Sequence, residues 1–124
     1  MKIKCGVDLI EISRVRDSIE TLGDSFLNKV FTQKEIEYCE SKKMAKYEHY
    51  AARFAVKEAV FKAVSEEVQD KFLISWKDVE TVNDKNGRPK VEILYLKDSK
   101  VENVDVSISH CKNYAVANVV VLFK

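Results

Sequence analysis

The residues best suited to chemistry lie in segment 53–62, which holds Arg53, Lys57, Glu58 and Lys62 at short spacings. At about 100° per residue in a helix, Glu58 projects from the middle of an otherwise apolar face. That face comprises Tyr47, Ala51, Phe54, Ala55 and Phe61. A carboxylate in such a position is costly unless a partner offsets its desolvation. The segment therefore predicts a carboxylate with a specific task.

Three interpretations of Glu58 remain open from spacing alone. It could be a buried ion-pair partner of a Lys or Arg. It could form an i,i+4 ion pair with Lys62, worth about 0.2–0.5 kcal/mol. It could instead be a metal ligand or general base in a cleft. Only the last of these gives the carboxylate a chemical role.

A line of basic residues on the same helix supports the chemical role. Lys46, Arg53 and Lys57 are spaced by near multiples of the helical turn. Such a stripe is often only a solvated face. Beside a carboxylate, however, it has the composition that a phosphate ligand with a bridging Mg²⁺ needs, because Mg²⁺ takes hard oxygen ligands and the cations neutralise the remaining charge.

Two further residues are candidates for the same site. Asp8 interrupts an apolar run near the N-terminus and could be the second carboxylate for Mg²⁺, although it could also be a capping or turn residue. His110 stands where a predicted strand runs into a turn, a common place for binding groups. His49 lies on the helix away from the stripe and is interpreted as structural or exposed.

Composition limits how the chain could handle phosphate. Its 124 residues predict one domain, spanning 1–124, and its three glycines are too scattered for a P-loop or a dinucleotide fingerprint. The net charge of +1 argues against broad nucleic-acid coating. Residues 41–63 nevertheless hold six Lys or Arg against two Glu, while the remainder holds 15 basic and 18 acidic residues. An anionic ligand met locally is the expectation.

The cysteines and the apolar runs indicate the compartment. Cys5, Cys39 and Cys111 form neither a disulfide framework nor a zinc pattern. No run approaches the roughly 20 apolar residues that a membrane span requires. We therefore expect a soluble cytoplasmic protein with reduced thiols and no membrane partner.

The first half of the chain predicts one strand followed by helices. Apolar residues alternate with polar ones from 2 to 9, with Asp8 on the polar side of the strand. Ser13 is a candidate cap for a short helix that ends at Leu22 before Gly23. Thr32 and Glu35 match a capping box for a helix to about Lys42. A long helix is predicted over about 46–65.

The second half predicts strands. Residues 73–82, 90–96, 104–109 and 114–123 are rich in Val, Ile and aromatic residues. Asn86-Gly87 and Lys112-Asn113 are turn signals. Helices packed on a mainly antiparallel β-sheet, an α+β fold, are therefore expected. The last strand is apolar on both sides, which suits either a central strand or a sheet buried between subunits.

The same positions resemble a known family. The opening Gly6-Val7-Asp8 with Arg14, and above all Arg-Phe-Ala-Val-Lys-Glu-Ala-Val-Phe-Lys-Ala at 53–63, are similar to motifs of the holo-acyl-carrier-protein synthases, which are small phosphopantetheinyl transferases. Three further blocks occur in the family's order. They are 31–39, 76–89 and 107–117. The resemblance covers nearly the whole chain and implies the family's fold.

The resemblance also implies roles for individual residues. Asp8 and Glu58 would hold Mg²⁺ against the pyrophosphate of coenzyme A, and Lys62 would neutralise charge there. The nucleotide end would be bound by Arg53 and by the turn Gly87, Arg88 and Pro89, with His110 near the phosphates. Lys57 would be a further cofactor-binding residue. Arg14 would dock the acidic helix of acyl carrier protein.

The implied reaction is Mg²⁺-dependent transfer of 4′-phosphopantetheine from coenzyme A to a serine hydroxyl of apo acyl carrier protein. Adenosine 3′,5′-bisphosphate leaves, and the base would be a water held by the metal or its carboxylates. The resemblance further implies a role in fatty acid biosynthesis and a homotrimer with sites between subunits. The alternative is a non-enzymatic module whose basic helix binds phosphate or nucleic acid.

Overall fold

The computed structural model describes residues 1–67, 74–94 and 100–124. Its strands are β1 (Lys2–Glu11), β2 (Val79–Asn83), β3 (Pro89–Ile93), β4 (Val101–His110) and β5 (Tyr114–Phe123). Its α-helices are α1 (Ile12–Leu22), α2 (Asp24–Val30), α3 (Gln33–Ser41) and α4 (Lys46–Val64). Among the described residues, no helix is both long and apolar enough to cross a bilayer.

The strands form two antiparallel sheets, which confirms the predicted α+β class. One sheet has the order β1-β5-β4, and β2 pairs with β3 in the other. The long helix α4 packs on one face of the three-stranded sheet, and its buried residues share a core with β5. A second core lies between α4 and the helices α1 to α3. Helix α4 is therefore the element that both cores share.

Several predicted boundaries are confirmed. The capping box of α3 is present, with Thr32 accepting from the Glu35 N–H and Glu35 accepting from the Thr32 N–H. Gly23 ends α1 at a φ of 60°, where its N–H donates to the Ile19 carbonyl. The β2–β3 turn closes through a hydrogen bond from the Gly87 N–H to the Asp84 carbonyl. Local hydrogen bonding decides each of these features.

Other predicted boundaries are wrong. Ser13 does not cap α1, because the helix already begins at Ile12 and Glu11 occupies the cap position. The short helix α2 was not predicted, and residues 76–78 form a 3₁₀ turn rather than strand. Positions 73 and 95–96, at the ends of two predicted strands, lie outside the described residues.

The structure shows which side of β1 is buried, a point that the alternating pattern left open. Gly6 is buried and Asp8 half-buried against α4, whereas the apolar positions that alternate with this side of the strand face outward. Ile3, Val7 and Leu9 are 68%, 56% and 64% exposed. The polar side of this strand therefore faces the helix. On that side Asp8 pairs with Lys62 of α4.

Gly6 permits this orientation by bringing two backbones together. A Cβ atom at Gly6 would lie 2.0 Å from the Ala59 carbonyl oxygen and 3.0 Å from the Ala63 nitrogen, both in the α4 backbone. No side chain fits there without moving the strand from the helix. The absence of a side chain at Gly6 thus sets the distance between β1 and α4.

We predict that Gly6→Ala lowers the free energy of unfolding by about 3 kcal/mol, because an added methyl in a tightly packed position forces backbone shifts. Urea unfolding measures this. Gly87→Ala is the matched control, since Gly87 has a φ of 82° but nothing within 4 Å of an added Cβ. It should cost about 1 kcal/mol, from backbone strain alone. Equal losses in the two variants would contradict the close approach.

Candidate functional site

Asp8, Glu58 and Lys62 come together where β1 crosses α4. The Lys62 ammonium donates to Asp8 Oδ1 at 3.1 Å and to the Val7 carbonyl at 2.9 Å. Glu58 lies one helical turn before Lys62, on the same side of α4. Two carboxylates and one ammonium thus share a small, partly exposed patch, as the sequence analysis expected for a phosphate site.

The pKa of Glu58 reflects its burial and its closeness to the Asp8 carboxylate. Burial raises the pKa of Glu58 above its ordinary value of 4.5, and the neighbouring Asp8 carboxylate raises it further. Lys62 acts in the opposite direction but does not cancel these effects. Phe54 and Phe61, one turn before and after Glu58 on the helix, supply the apolar surroundings. Adding a cation between the two carboxylates would relieve this unfavourable arrangement.

Within residues 1–67, 74–94 and 100–124, Glu58 forms no ion pair with a Lys or Arg. Lys62 pairs with Asp8 rather than with Glu58, across the strand–helix contact instead of along the helix. Its side chain is 56% exposed, against 18% for Asp8, so the pair is open to solvent on the lysine side. The carboxylate of Glu58 is half-buried beside a like charge. This is a position for binding a cation.

Two cavities border this patch. One, of about 510 Å³, is lined by Asp8, Glu58, Arg14, Phe26 and Phe54 among others. The other, of about 500 Å³, is lined mainly by apolar side chains, among them Phe61, Ile74 and Trp76, together with Lys62. The three charged groups stand between the two cavities. A ligand with a charged centre and less polar arms would suit this arrangement.

A second cluster surrounds Arg53. Its guanidinium donates to Asn83 Oδ1 at 2.6 Å and stacks over the Tyr38 ring at 4.1 Å. Asn83 in turn donates to the Gly87 carbonyl at 3.1 Å, so the β2–β3 turn is tied to α4 through these residues. Arg53 Nε is buried without a hydrogen-bond partner among the described atoms. An acceptor brought by a ligand would satisfy it.

His110 lies near the same end of α4. Its Nδ1 is 3.6 Å from Glu48 Oε2, and its ring centroid is 6.2 Å from that of His49. Burial lowers the pKa of His49, and the positive charge of Arg53 lowers it further. Arg88 is exposed in the β2–β3 turn, and Pro89 begins β3. Of the predicted nucleotide-binding residues, Arg53 of α4 is thus tied to the turn at Gly87, Arg88 and Pro89. His110, predicted to lie near the phosphates, is beside Glu48 of the same helix.

The two clusters lie on opposite sides of α4. Arg53 and Lys62 are nine residues apart, which at 100° per residue is half a turn of the helix. The first cluster faces β1, and the second faces Tyr38 and the β2–β3 turn. A single chain therefore does not bring all the predicted site residues around one ligand.

Lys57 has a different environment from the one predicted for it. Its side chain is fully buried and its ammonium pairs with Glu35, itself fully buried, at 2.8 Å. Desolvation lowers the pKa of Lys57, and the attraction of Glu35 opposes this. All three N–H groups of this ammonium have protein acceptors, so none is left for a ligand, whereas Arg53, which is 3% exposed, keeps Nε without a partner among the described atoms. The structure therefore corrects the role predicted for Lys57, which spacing alone had grouped with Arg53.

Glu35 is the functional candidate that the sequence analysis missed. It was interpreted only as the second half of the α3 capping box, a role that it does perform. The same carboxylate also accepts from the Thr81 N–H at 3.0 Å. No local pattern in the sequence indicates these long-range partners.

The chemistry of the Asp8 and Glu58 pair fits a divalent cation. Both are hard oxygen donors, and Mg²⁺ characteristically takes one or two protein carboxylates and completes its shell with water and substrate phosphate. The described residues contain no group of three or more His, Cys, Asp or Glu side chains placed to hold a metal alone. These two carboxylates are thus suited to an ion that arrives with a phosphate ligand.

Comparison with known proteins identifies the class to which this fold and site belong. The family model described as the 4′-phosphopantetheinyl transferase superfamily matches residues 4–119. The chain is 41% identical to the holo-[acyl-carrier-protein] synthase of Ruminiclostridium cellulolyticum, over 98% of this chain and 92% of that protein. It is 44% identical to the protein of the same name from Protochlamydia amoebophila, over 94% and 95%.

Solved structures agree with these relatives. The ACPS–CoA complex of Chronobacterium ammoniagenes superposes with a TM-score of 0.84 at 26% identity, covering 100% of this chain and 99% of that one. The holo-(acyl-carrier-protein) synthase of Bacillus anthracis, in complex with CoA (3′,5′-ADP), gives 0.72 at 34% identity, covering 95% and 94%. The chain therefore belongs to the 4′-phosphopantetheinyl transferase superfamily. Within it, the chain groups with the holo-[acyl-carrier-protein] synthases.

The raised pKa of Glu58 makes a prediction about stability. Because the folded state favours the protonated acid, the stabilising contribution of Glu58 is full below pH 4.5 and is lost as the pH rises through the folded-state pKa. Glu58→Gln should therefore raise the free energy of unfolding at pH 7 and leave it nearly unchanged at pH 4. Urea unfolding at the two pH values measures this.

Glu102→Gln is the control, because Glu102 is exposed on β4. It should change stability little at either pH. A Glu58→Gln variant that is less stable than the native chain at pH 7 would show that the charged carboxylate has a stabilising partner, and would contradict the description given above.

Proposed function

We propose that this chain transfers 4′-phosphopantetheine from coenzyme A to a serine hydroxyl of apo acyl carrier protein, with Mg²⁺ held by Asp8 and Glu58. The observation that carries the proposal is the convergence of two carboxylates and Lys62 between two cavities. The relatives' names support the substrates: they are called holo-[acyl-carrier-protein] synthases, and one related structure is a CoA complex.

The reaction forms an oxygen–phosphorus bond and breaks another. The serine oxygen attacks the β-phosphate, the bond to the α-phosphate oxygen breaks, and adenosine 3′,5′-bisphosphate departs. Such a displacement depends on positioning and charge neutralisation more than on a covalent enzyme intermediate. When bound, the ion would neutralise pyrophosphate charge. Lys62 would add a second positive charge, and its exposure allows it to leave Asp8 for the phosphate.

The serine proton needs an acceptor, and Asp8 and Glu58 would position it. A water held at Asp8 and Glu58 would take the proton, as the sequence analysis expected. The Asp8 and Glu58 carboxylates would stabilise the positive charge that this water gains. The free Cys5, Cys39 and Cys111 have no part in this scheme.

The nucleotide end would be bound by the second cluster. Arg53 Nε has no hydrogen-bond partner in the part of the chain that the structure describes, and Asn83 ties Arg53 to the turn at Gly87 to Pro89. His110 adds a donor at the same end of α4. Because this cluster faces away from Asp8, we propose that one subunit supplies Asp8, Glu58 and Lys62 while a neighbour supplies the nucleotide-binding groups.

An exposed apolar sheet face supports assembly into a homotrimer. Ile3, Val7 and Leu9 on β1 and Val120 on β5 are between 41% and 68% exposed. In the register of β1 and β5, Val7 pairs with Asn118 and Cys5 with Val120, so these side chains form one continuous surface. Contiguous apolar surface of this kind commonly marks a protein interface. Strand β1 also carries Asp8, on the face opposite to this apolar surface.

The acceptor would dock at the cavity that contains Asp8. Arg14 on α1 is exposed at this cavity, beside Phe26 and Phe54. A cation near apolar side chains suits an acidic helix, because opposite charge steers the encounter and apolar contacts hold the complex. We propose this surface for acyl carrier protein, and a cytoplasmic role in fatty acid biosynthesis for the enzyme.

We predict that Asp8→Asn lowers kcat for transfer by about a hundredfold or more, equivalent to roughly 2.7 kcal/mol of transition-state stabilisation. The assay follows the mass gain of apo acyl carrier protein incubated with coenzyme A and Mg²⁺. Asp17→Asn, an exposed change on α1, is the control. Arg14→Ala should instead raise KM for the carrier. Transfer by Asp8→Asn at the native rate would refute the metal site.

We predict that two inactive variants restore each other's activity when refolded together. Asp8→Asn damages one half-site and Arg53→Met the other. In a ring of mixed subunits, roughly a quarter of the sites would combine two intact halves, the chance for random 1:1 mixing. The recovered activity checks this, and light scattering gives the subunit number. A mixture as inactive as its components would place the whole site within one chain.

A further inference from the structure

The buried Lys57–Glu35 pair joins four segments of the chain at one point. The Lys57 ammonium has three N–H groups and three acceptors: Glu35 Oε1 at 2.8 Å, the Trp76 carbonyl at 2.9 Å and the Val79 carbonyl. Glu35 also accepts from the Thr32 N–H at the start of α3 and from the Thr81 N–H in β2. Both side chains are completely buried.

Stability alone gives a weak reason for such a pair. Removing two charges from water costs several kcal/mol for each ion, and apolar residues of similar volume often stabilise a protein as well or better. An apolar side chain could fill the space of Lys57. It could not donate hydrogen bonds to the carbonyls of Trp76 and Val79. The particular contribution of Lys57 is therefore the position of that backbone.

The Trp76 ring connects this backbone to the candidate site. It stacks on Phe54 at 5.0 Å with an interplanar angle of 23°, and meets Phe61 edge-on at 5.1 Å and 65°. Phe54 precedes Glu58 by four residues and Phe61 follows it by three. Phe54 lines the cavity of Asp8 and Glu58, whereas Phe61 and Trp76 line the cavity of Lys62. Trp76 therefore spans the region between them.

We propose that Lys57 and Glu35 are positioning residues that fix Trp76 as a wall of the coenzyme A site, without contacting the ligand themselves. The inference rests on the proposed function, because it assigns the cavity of Lys62 to coenzyme A. This positioning role differs from the role predicted from the sequence, in which Lys57 contacts the cofactor directly. If the pair acts by positioning, its loss disturbs Trp76 even in the ligand-free protein.

The test removes both charges together, so that neither is left unpaired. In Glu35→Gln/Lys57→Met, the glutamine oxygen can still accept one backbone hydrogen bond, but the ties to Trp76 and Val79 are lost. Trp76 is the sole tryptophan of the chain, so its fluorescence reports this position alone. We expect red-shifted emission and stronger acrylamide quenching in the ligand-free protein.

The kinetic expectation is specific to one substrate. KM for coenzyme A should rise about tenfold, and KM for apo acyl carrier protein should change less than about twofold, because a displaced wall weakens binding of one substrate in ground and transition states alike. Tyr50→Phe is the matched control. It removes another α3–α4 tie, the hydrogen bond from Tyr50 to Glu40 at 2.6 Å, but none to Trp76. Its emission and both KM values should stay native.

Lys57→Arg is a second variant, in case the double variant does not fold. It keeps the charge and the pairing with Glu35, but a planar guanidinium cannot direct three donors as an ammonium does. We expect the emission and KM for coenzyme A to change in the same direction as in the double variant, but by a smaller amount.

Native emission and native KM in folded Lys57→Arg and in the folded double variant would overturn the proposal. A raised KM with native emission would also overturn it, in favour of direct contact between Lys57 and the ligand. Absence of transfer by the native chain would instead refute the proposed function. The fluorescence result is independent of that outcome, so the two failures are distinguishable.

Discussion

The close approach of β1 to α4 at Gly6 is the constraint on which the site depends. Because Gly6 has no side chain, the strand backbone lies against the Ala59 carbonyl, and Asp8 follows two residues later on the same face. The carboxylate of Asp8 is then close enough to raise the pKa of Glu58 and to pair with Lys62. Any residue that widened this contact would separate the groups that the proposed metal requires.

Helix α4 contributes buried residues to both cores, so the contact at Gly6 is linked to both. Small residues such as Ala55, Ala59 and Ala63 are buried against the sheet. Arg53 and Lys57 use their length on the other side to reach the β2–β3 turn and the Trp76 segment. The helix is therefore hydrophobic or paired almost all round, which explains why its polar residues do not form a solvated basic stripe. That stripe was the basis of the non-enzymatic alternative.

Local patterns predicted most of the elements well, since caps, turns and the spacing along α4 are short-range features. Spacing could not place Asp8 beside Glu58, because the two lie on different elements, and that pairing was implied by the family resemblance. Local patterns also did not predict which side of β1 faces the core. Alternation fixes two faces, but only the partner element decides which one is buried, and here the apolar face of Ile3, Val7 and Leu9 is exposed. Lys57 was misassigned for the same reason: its partner Glu35 is 22 residues away in sequence and meets it only in the folded chain.

The outward apolar face and the divided site have one physical explanation. Asp8 must face α4 to meet Glu58, and on a strand this turns its neighbours Val7 and Leu9 outward. An exposed apolar strand face needs a cover, and in the proposed trimer a neighbouring subunit would supply one. Arg53 of the second cluster lies half a helical turn from Lys62, which pairs with Asp8, so in the proposed trimer this cluster too would need a neighbour to complete a site. In the proposed trimer, the interface that covers β1 is also the one that joins the two halves of the site, because a single strand orientation creates both requirements.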